Sequence, residues 1–205
     1  MIECLAFMHV IKTGGTTLVS KFKEEMEGRF RWGHDFVHNS WKDPDKLIRW
    51  FTIIRDPADW LVSIYHQATR RARQDIDFEH WYEIAAPNPC NPQKARYNRL
   101  SHYVSRFCGY NFSGIYKLLD ACWGVTITSL LDEDLPRLIE YFGLTPGYTN
   151  ERVTGEYDRF DKCVTPKKYK LKVKMRKRIY QENPEDVKLF EYAKEKREQW
   201  IAKLA

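Results

Sequence analysis

No stretch of the chain approaches the ~20 consecutive apolar residues needed to cross a bilayer as a helix, so a membrane-spanning helix is not expected. Its five cysteines (Cys4, Cys90, Cys108, Cys122, Cys163) include no CxxC pair and no metal-ligand spacing, which excludes zinc-ribbon and dithiol redox readings. An odd, dispersed set of this kind reads as reduced thiols. Met1-Ile2-Glu3 lacks the basic start of a secretory leader, and the expected location is the cytoplasm. Low-complexity tracts and internal repeats are also missing.

What is present suits one folded domain spanning residues 1–205, long enough to bury a core. The net charge of +6 favours anionic partners such as nucleotides, phosphate or sulfate esters, acidic glycans or nucleic acid. Cys4 to Ile11 is an almost unbroken apolar run, as in a strand buried on both faces. A helix is expected from Thr16 to Arg29, with Leu18, Phe22 and Met26 on one face. "WFTII" (50–54) reads as a second strand and "WGVTITS" (123–129) as a third. Asp56-Pro57 should cap a helix running to about Arg71. Further helices are expected over 77–86, 93–108, 115–122 and after Ser129, the last closed by Gly143. Thr165-Pro166 and Asn183-Pro184 should open two final helices. Strands alternating with helices predict an α/β fold, a parallel sheet flanked by helices on both faces.

The stretch "HVIKTGGTTL" (9–18) puts a glycine pair between a strand and a helix. Such a turn offers backbone N–H groups and the positive end of a helix dipole to an anion. Gly14 and Gly15 allow close approach, and Thr16 and Thr17 add hydroxyls. Lys12 adds a full charge, on the order of 4 kcal/mol against a phosphate oxygen at ~4 Å in a partly screened site. Taken alone, the pair is equally readable as a tight turn beside a solvated lysine. The nucleotide motif G-x-x-x-x-G-K-[ST], with lysine after the glycines, is not matched.

"FTIIRDPADWLVSIYH" (51–66) places Arg55 at the tip of the second strand and Ser63 about two turns into the next helix. An arginine fork with a nearby hydroxyl suits a terminal phosphate monoester. By itself Arg55 would read as a salt bridge with Asp56 or Asp59. A nucleotide triphosphatase would usually end such a strand in a magnesium-holding aspartate; Asp56 is better explained as a helix cap.

Together these two stretches closely resemble the two cofactor motifs of sulfotransferases. The carbohydrate sulfotransferases are nearest, including uronyl 2-O-sulfotransferases and bacterial relatives, with patterns like H-x-P-K-T-G-G-T-[ST] and R-[DE]-P-x-x-R-x-x-S-x-Y. The similarity extends in order through "GHDF", "NRLSHYVSRFCG", "LLDEDLPRLIEYFGL" and "KLFEYA". It implies a P-loop NTPase-like fold and the donor 3′-phosphoadenosine 5′-phosphosulfate (PAPS), with no metal. Lys12, Thr13, Gly14, Gly15, Thr16 and Thr17 would then hold the 5′-phosphosulfate, and Arg55 and Ser63 the 3′-phosphate. The lysine precedes the glycines because it faces the phosphate–sulfate bridge. The Gly33-His34 pair matches the element carrying the base, so His34 would deprotonate an acceptor hydroxyl, on a glycan or a small molecule. Val153 and Thr154, with Lys162, fall where relatives close a loop over the adenosine phosphate. Ile11 replaces the usual proline and Trp60 a frequent arginine.

Other candidates weigh less. Asp35 and Glu79 are weaker bases. His38, His66, His80 and His102 read as structural or surface histidines, and His9 as shaping the strand end. Arg96, Arg99 and Arg106 share a helix side, most simply a solvated one. Eight of the twelve residues from Lys167 to Arg178 are basic, a solvated face or a site for an anionic polymer. The rival functions are a kinase of a small molecule or nucleotide, and a non-catalytic binder of anionic polymers.

Overall fold

The computed structural model describes residues 2–33, 46–72, 76–84, 99–108, 114–146 and 169–204. Strands β1 (Ile2–Met8), β2 (Phe30–Gly33), β3 (Lys46–Ile54) and β4 (Gly124–Ile127) form an all-parallel sheet in the order β2-β1-β3-β4. Parallel pairing requires crossovers: α1 (Gly15–Glu25) lies between β1 and β2, and α2 (Pro57–Ala72), α3 (Phe78–Ile84), α4 (Arg99–Ser105) and α5 (Gly114–Ala121) lie between β3 and β4, while α6 (Leu131–Tyr141), α7 (Val173–Glu182) and α8 (Pro184–Leu204) follow β4.

Side chains of the central strands alternate between two cores. Leu5, Phe7, Phe51 and Ile53 pack with Leu18 and Phe22 of α1, with Met26 just past its end, and with Leu135, Leu138 and Ile139 of α6. Cys4, Ala6, Met8, Trp50 and Ile54 face the other way, towards residues of α2, α3, α4, α5 and α7. Helix α8 contributes to both, Leu189 and Ala193 on one side and Trp200 on the other. Trp200 lies edge-on to Phe51, 5.4 Å between ring centroids. A Cβ on Gly124 of β4 would come within 2.6 Å of Phe51 and 3.0 Å of Trp200, so only glycine lets this helix lie against β4.

Several boundaries differ from expectation: β1 runs Ile2–Met8 rather than Cys4–Ile11, α1 ends at Glu25 rather than Arg29, and two others have a visible cause. β3 starts at Lys46 rather than Trp50, because Arg49 is accommodated on the strand: its Nη2 donates to Glu3 Oε1 of β1 at 2.7 Å, and its guanidinium lies over Trp123. Helix α7 starts at Val173, not at Thr165-Pro166; residues 169–172 are non-helical and Lys172 is extended. The closure of α6 follows expectation: Gly143 takes φ 64°, its N–H donates to Glu140, and Leu144 N–H reaches back to Ile139.

Buried charge ties the late helices to the rest. Asp186, fully buried on α8, accepts the Leu100 and Ser101 N–H groups at 3.0 and 2.7 Å and so caps α4 from outside. Burial raises its pKa to about 6 against these hydrogen bonds, from an ordinary 3.8. Between those values the folded state holds a proton that the unfolded chain has released. This group's contribution to stability therefore falls as pH rises from about 4 to 6, by about 3 kcal/mol, and is flat above. A carbon-13 titration of the Asp186 carboxyl should show a midpoint near 6; a midpoint at or below 4 would mean that the two amides outweigh burial.

Candidate functional site

The strand order reverses between β1 and β3: the chain leaves β1 for β2 on one side, then returns to build β3 and β4 on the other. In open parallel sheets a crevice forms outside the carboxyl ends of the strands at such a reversal, and ligands bind there. Here that point carries the glycine turn after β1 and Arg55 after β3.

Four successive carbonyls of the turn are fixed by side chains. The Thr13 hydroxyl donates to Val10 O at 2.8 Å, the Trp60 indole N–H to Ile11 O at 2.8 Å, Arg55 Nη1 to Lys12 O at 2.9 Å, and the Thr128 hydroxyl to Thr13 O at 2.8 Å. A loop whose carbonyls are bonded by its surroundings has its shape set in advance. Helix α1 follows at once, and the first-turn amides of an α-helix have no intrahelical acceptors. Among the described residues Lys12 is the one non-glycine with positive φ, 63°, and Gly14 has φ 92°. A left-handed lysine costs roughly 1–2 kcal/mol; the hydrogen bonds on both sides of it hold it there.

Gly15 answers to space rather than to backbone angle. A Cβ there would lie 2.4 Å from the His9 ring and 2.8 Å from Phe7. His9 stacks on Phe7 and meets Trp32 edge-on, so it shapes the end of the strand as expected.

Lys12 is half-buried, Gly14 and Thr16 are exposed, and Thr13 is fully buried. With its hydroxyl engaged on Val10, Thr13 offers the site its backbone. Thr17 lies in the first turn of α1 and Ser63 in the second turn of α2, half-buried. His34, Val153 and Thr154 fall outside the described residues, as do Asp35, His38, Arg96 and Lys162.

Arg55 does not pair with its neighbours in the way its sequence context suggested. Asp56 Oδ1 accepts the Ala58 and Asp59 N–H groups at 3.0 Å, the expected cap of α2. The same carboxylate accepts from Arg176 and Tyr180 of α7, and Arg176 also bonds Asp59. Burial lowers the Arg55 pKa while Asp59 and Asp56 oppose that shift; an arginine stays charged throughout. What the site assembles is thus a lysine, an arginine, a shaped loop and a helix N-terminus, a donor set suited to an anionic ligand.

The lesser candidates are placed elsewhere. Glu79 is bonded by Tyr169 and Lys172, and although burial works to raise its pKa these bonds hold it lower. His66 Nε2 accepts the Tyr169 N–H. Arg99 is not on a solvated face: it is half-buried, over the Trp81 ring. Of the basic stretch, Arg176 and Arg178 are engaged in ion pairs with acids, Arg178 with Glu83 and Glu182.

Trp60 and Thr128 escaped the sequence reading as loop-holding residues. Trp60 and Ile11, the two departures from the sulfotransferase pattern, meet in one hydrogen bond. No helix among the described residues is long and apolar enough to cross a membrane. Comparison with models of protein families and with curated proteins gives no match to this chain.

Proposed function

We propose that the chain is a single-domain, P-loop-fold sulfotransferase that moves the sulfuryl group of PAPS to an acceptor hydroxyl, on a carbohydrate or a small molecule. The observation that carries this reading is the pinned glycine turn with Lys12 and Arg55 at the sheet's reversal point. The residues present fit an anionic donor: two cations, a helix N-terminus, and a Gly15 position where a side chain would intrude.

When bound, PAPS would supply an activated sulfuryl group on a phosphate leaving group. The amides from Thr13 to Thr17 would hold its 5′ end, and Lys12 would meet the negative charge that develops on the bridging oxygen. Arg55 and Ser63 would hold the 3′-phosphate that distinguishes this donor from ATP. His34 would take the acceptor's proton as its oxygen bonds sulfur and the bond from sulfur to the bridging oxygen breaks, that oxygen leaving with the phosphate. The scattered thiols favour a cytoplasmic setting.

The test is thermal stabilisation. 3′,5′-Adenosine bisphosphate at a hundredfold excess over its Kd should add about 2.7 kcal/mol, a rise of roughly 5–10 °C. Arg55→Ala should abolish that rise. A shift with ADP and magnesium and none with the bisphosphate would replace this reading with a kinase.

A further inference from the structure

Two carboxylates crowd the arginine on which the proposed donor site depends. Asp56 follows Arg55 directly, Asp59 lies in the first turn of α2, and both act electrostatically on its guanidinium. In a half-buried setting the default for such an arginine is an ion pair with one of its neighbours. Arg55 instead donates to the Lys12 carbonyl. Both acids are bonded to a second arginine, 120 residues further along the chain. Arg176 Nη1 donates to Asp56 Oδ1 at 2.8 Å, and Nη2 to Asp59 Oδ1. Tyr180, one turn on, donates its hydroxyl to Asp56 Oδ2 and accepts from Arg176 at 3.1 Å.

We infer that Arg176 is a positioning residue for the anion site. It occupies Asp56 and Asp59, so the Arg55 guanidinium stays on the glycine turn instead of folding back onto the two acids that follow it in the chain. The planar fork matters, because two Nη groups reach carboxylates of two different residues, whereas a lysine brings a single point charge. The role rests on Arg55 serving the donor site, but the contact it protects exists without any ligand.

The experiment reads both levels. Side-chain nitrogen-15 signals of Arg55, assigned by their loss in Arg55→Lys, are followed in Arg176→Met, Arg176→Lys, Asp59→Asn and Arg176→Met/Asp59→Asn. Affinity for 3′,5′-adenosine bisphosphate is measured in parallel, with circular dichroism confirming the fold. Arg176→Met should move the Arg55 signals and weaken binding roughly tenfold, the scale of coupling between adjacent charged groups. Asp56 keeps the Ala58 and Asp59 amides and the Tyr180 hydroxyl, so Asp59 is the acid this variant sets loose. Asp59→Asn in that background should restore both signals and binding, and Arg176→Lys should fall between. If Arg176→Met does not fold, Arg176→Lys carries the comparison.

Arg55 signals that ignore both Arg176 variants, or a defect that Asp59→Asn leaves in place, would reduce Arg176 to an anchor for α7 and overturn the inference. A wild-type protein that does not bind the bisphosphate, with Arg55 signals that still shift and recover as described, would overturn the sulfotransferase reading and leave the positioning role standing.

Discussion

Replacing Arg197 with alanine should lower the unfolding free energy by about 3–5 kcal/mol and the melting temperature by roughly 10 °C. Arg197 is almost buried on α8, and its Nε and Nη2 groups fork onto Asp134 Oδ2 and Oδ1 at 2.8 and 2.7 Å. Asp134 is 1% exposed on α6 and also accepts the Thr126 hydroxyl from β4. Removing the guanidinium strands a buried carboxylate with one neutral donor, which is why the cost exceeds that of a surface pair. The same argument predicts recovery. Arg197→Met combined with Asp134→Leu and Thr126→Val removes every stranded polar group, and should regain most of the loss. Urea unfolding of the two variants checks both halves. A cost below about 1 kcal/mol for Arg197→Ala would show that water reaches Asp134 and that the pair acts as a surface one.

Gly15→Ala should damage both the fold and the donor site. The added methyl would sit 2.4 Å from the His9 ring and 2.8 Å from Phe7, and both rings are buried with Phe7 fully so. Overpacking of this kind costs about 1–3 kcal/mol, and more where neighbours cannot move. Displacing His9 drags the start of the glycine turn with it. Misplacement by about 1 Å can cost a hundredfold in an aligned site, so bisphosphate affinity should drop at least roughly tenfold. His9→Ala in the same background should return part of the stability. Unchanged melting and unchanged binding in Gly15→Ala would refute the packing argument outright.

Apolar runs made β1 and β4 readable in the sequence, and the α1 stripe of Leu18, Phe22 and Met26 is the buried face that its spacing predicted. Asp56 and Gly143 were legible because caps are local: the partner lies within a few residues. The start of β3 was hidden because Lys46 and Arg49 interrupt the apolar pattern, and the accommodation of Arg49 depends on Glu3 and Trp123, distant in sequence. Thr165-Pro166 looked like a helix start on the same local grounds, yet the next described residues, 169–172, are not helical. In the site, the glycine turn and Arg55 could be picked out, whereas the groups that hold them could not. Trp60 and Thr128 act across 49 and 115 residues, on backbone carbonyls that carry no sequence signature. Asp186 and Arg197 sit in a helix crowded with charge, where nothing local marks which two charges are buried.

The pinned turn also has a thermodynamic side. Its four carbonyls are bonded from within the turn, from the end of β3, from α2 and from the residue that follows β4. Three strands must therefore be in register before the loop has its final shape. Opening at the β4 edge would remove the Thr128 contact and loosen a loop that β4 itself never touches by strand pairing. An anion held there is linked to the whole sheet rather than to one segment, so its binding free energy appears as protection of the strand amides against hydrogen exchange. The ligand and the β4 edge of the sheet are then partners in a single folding equilibrium.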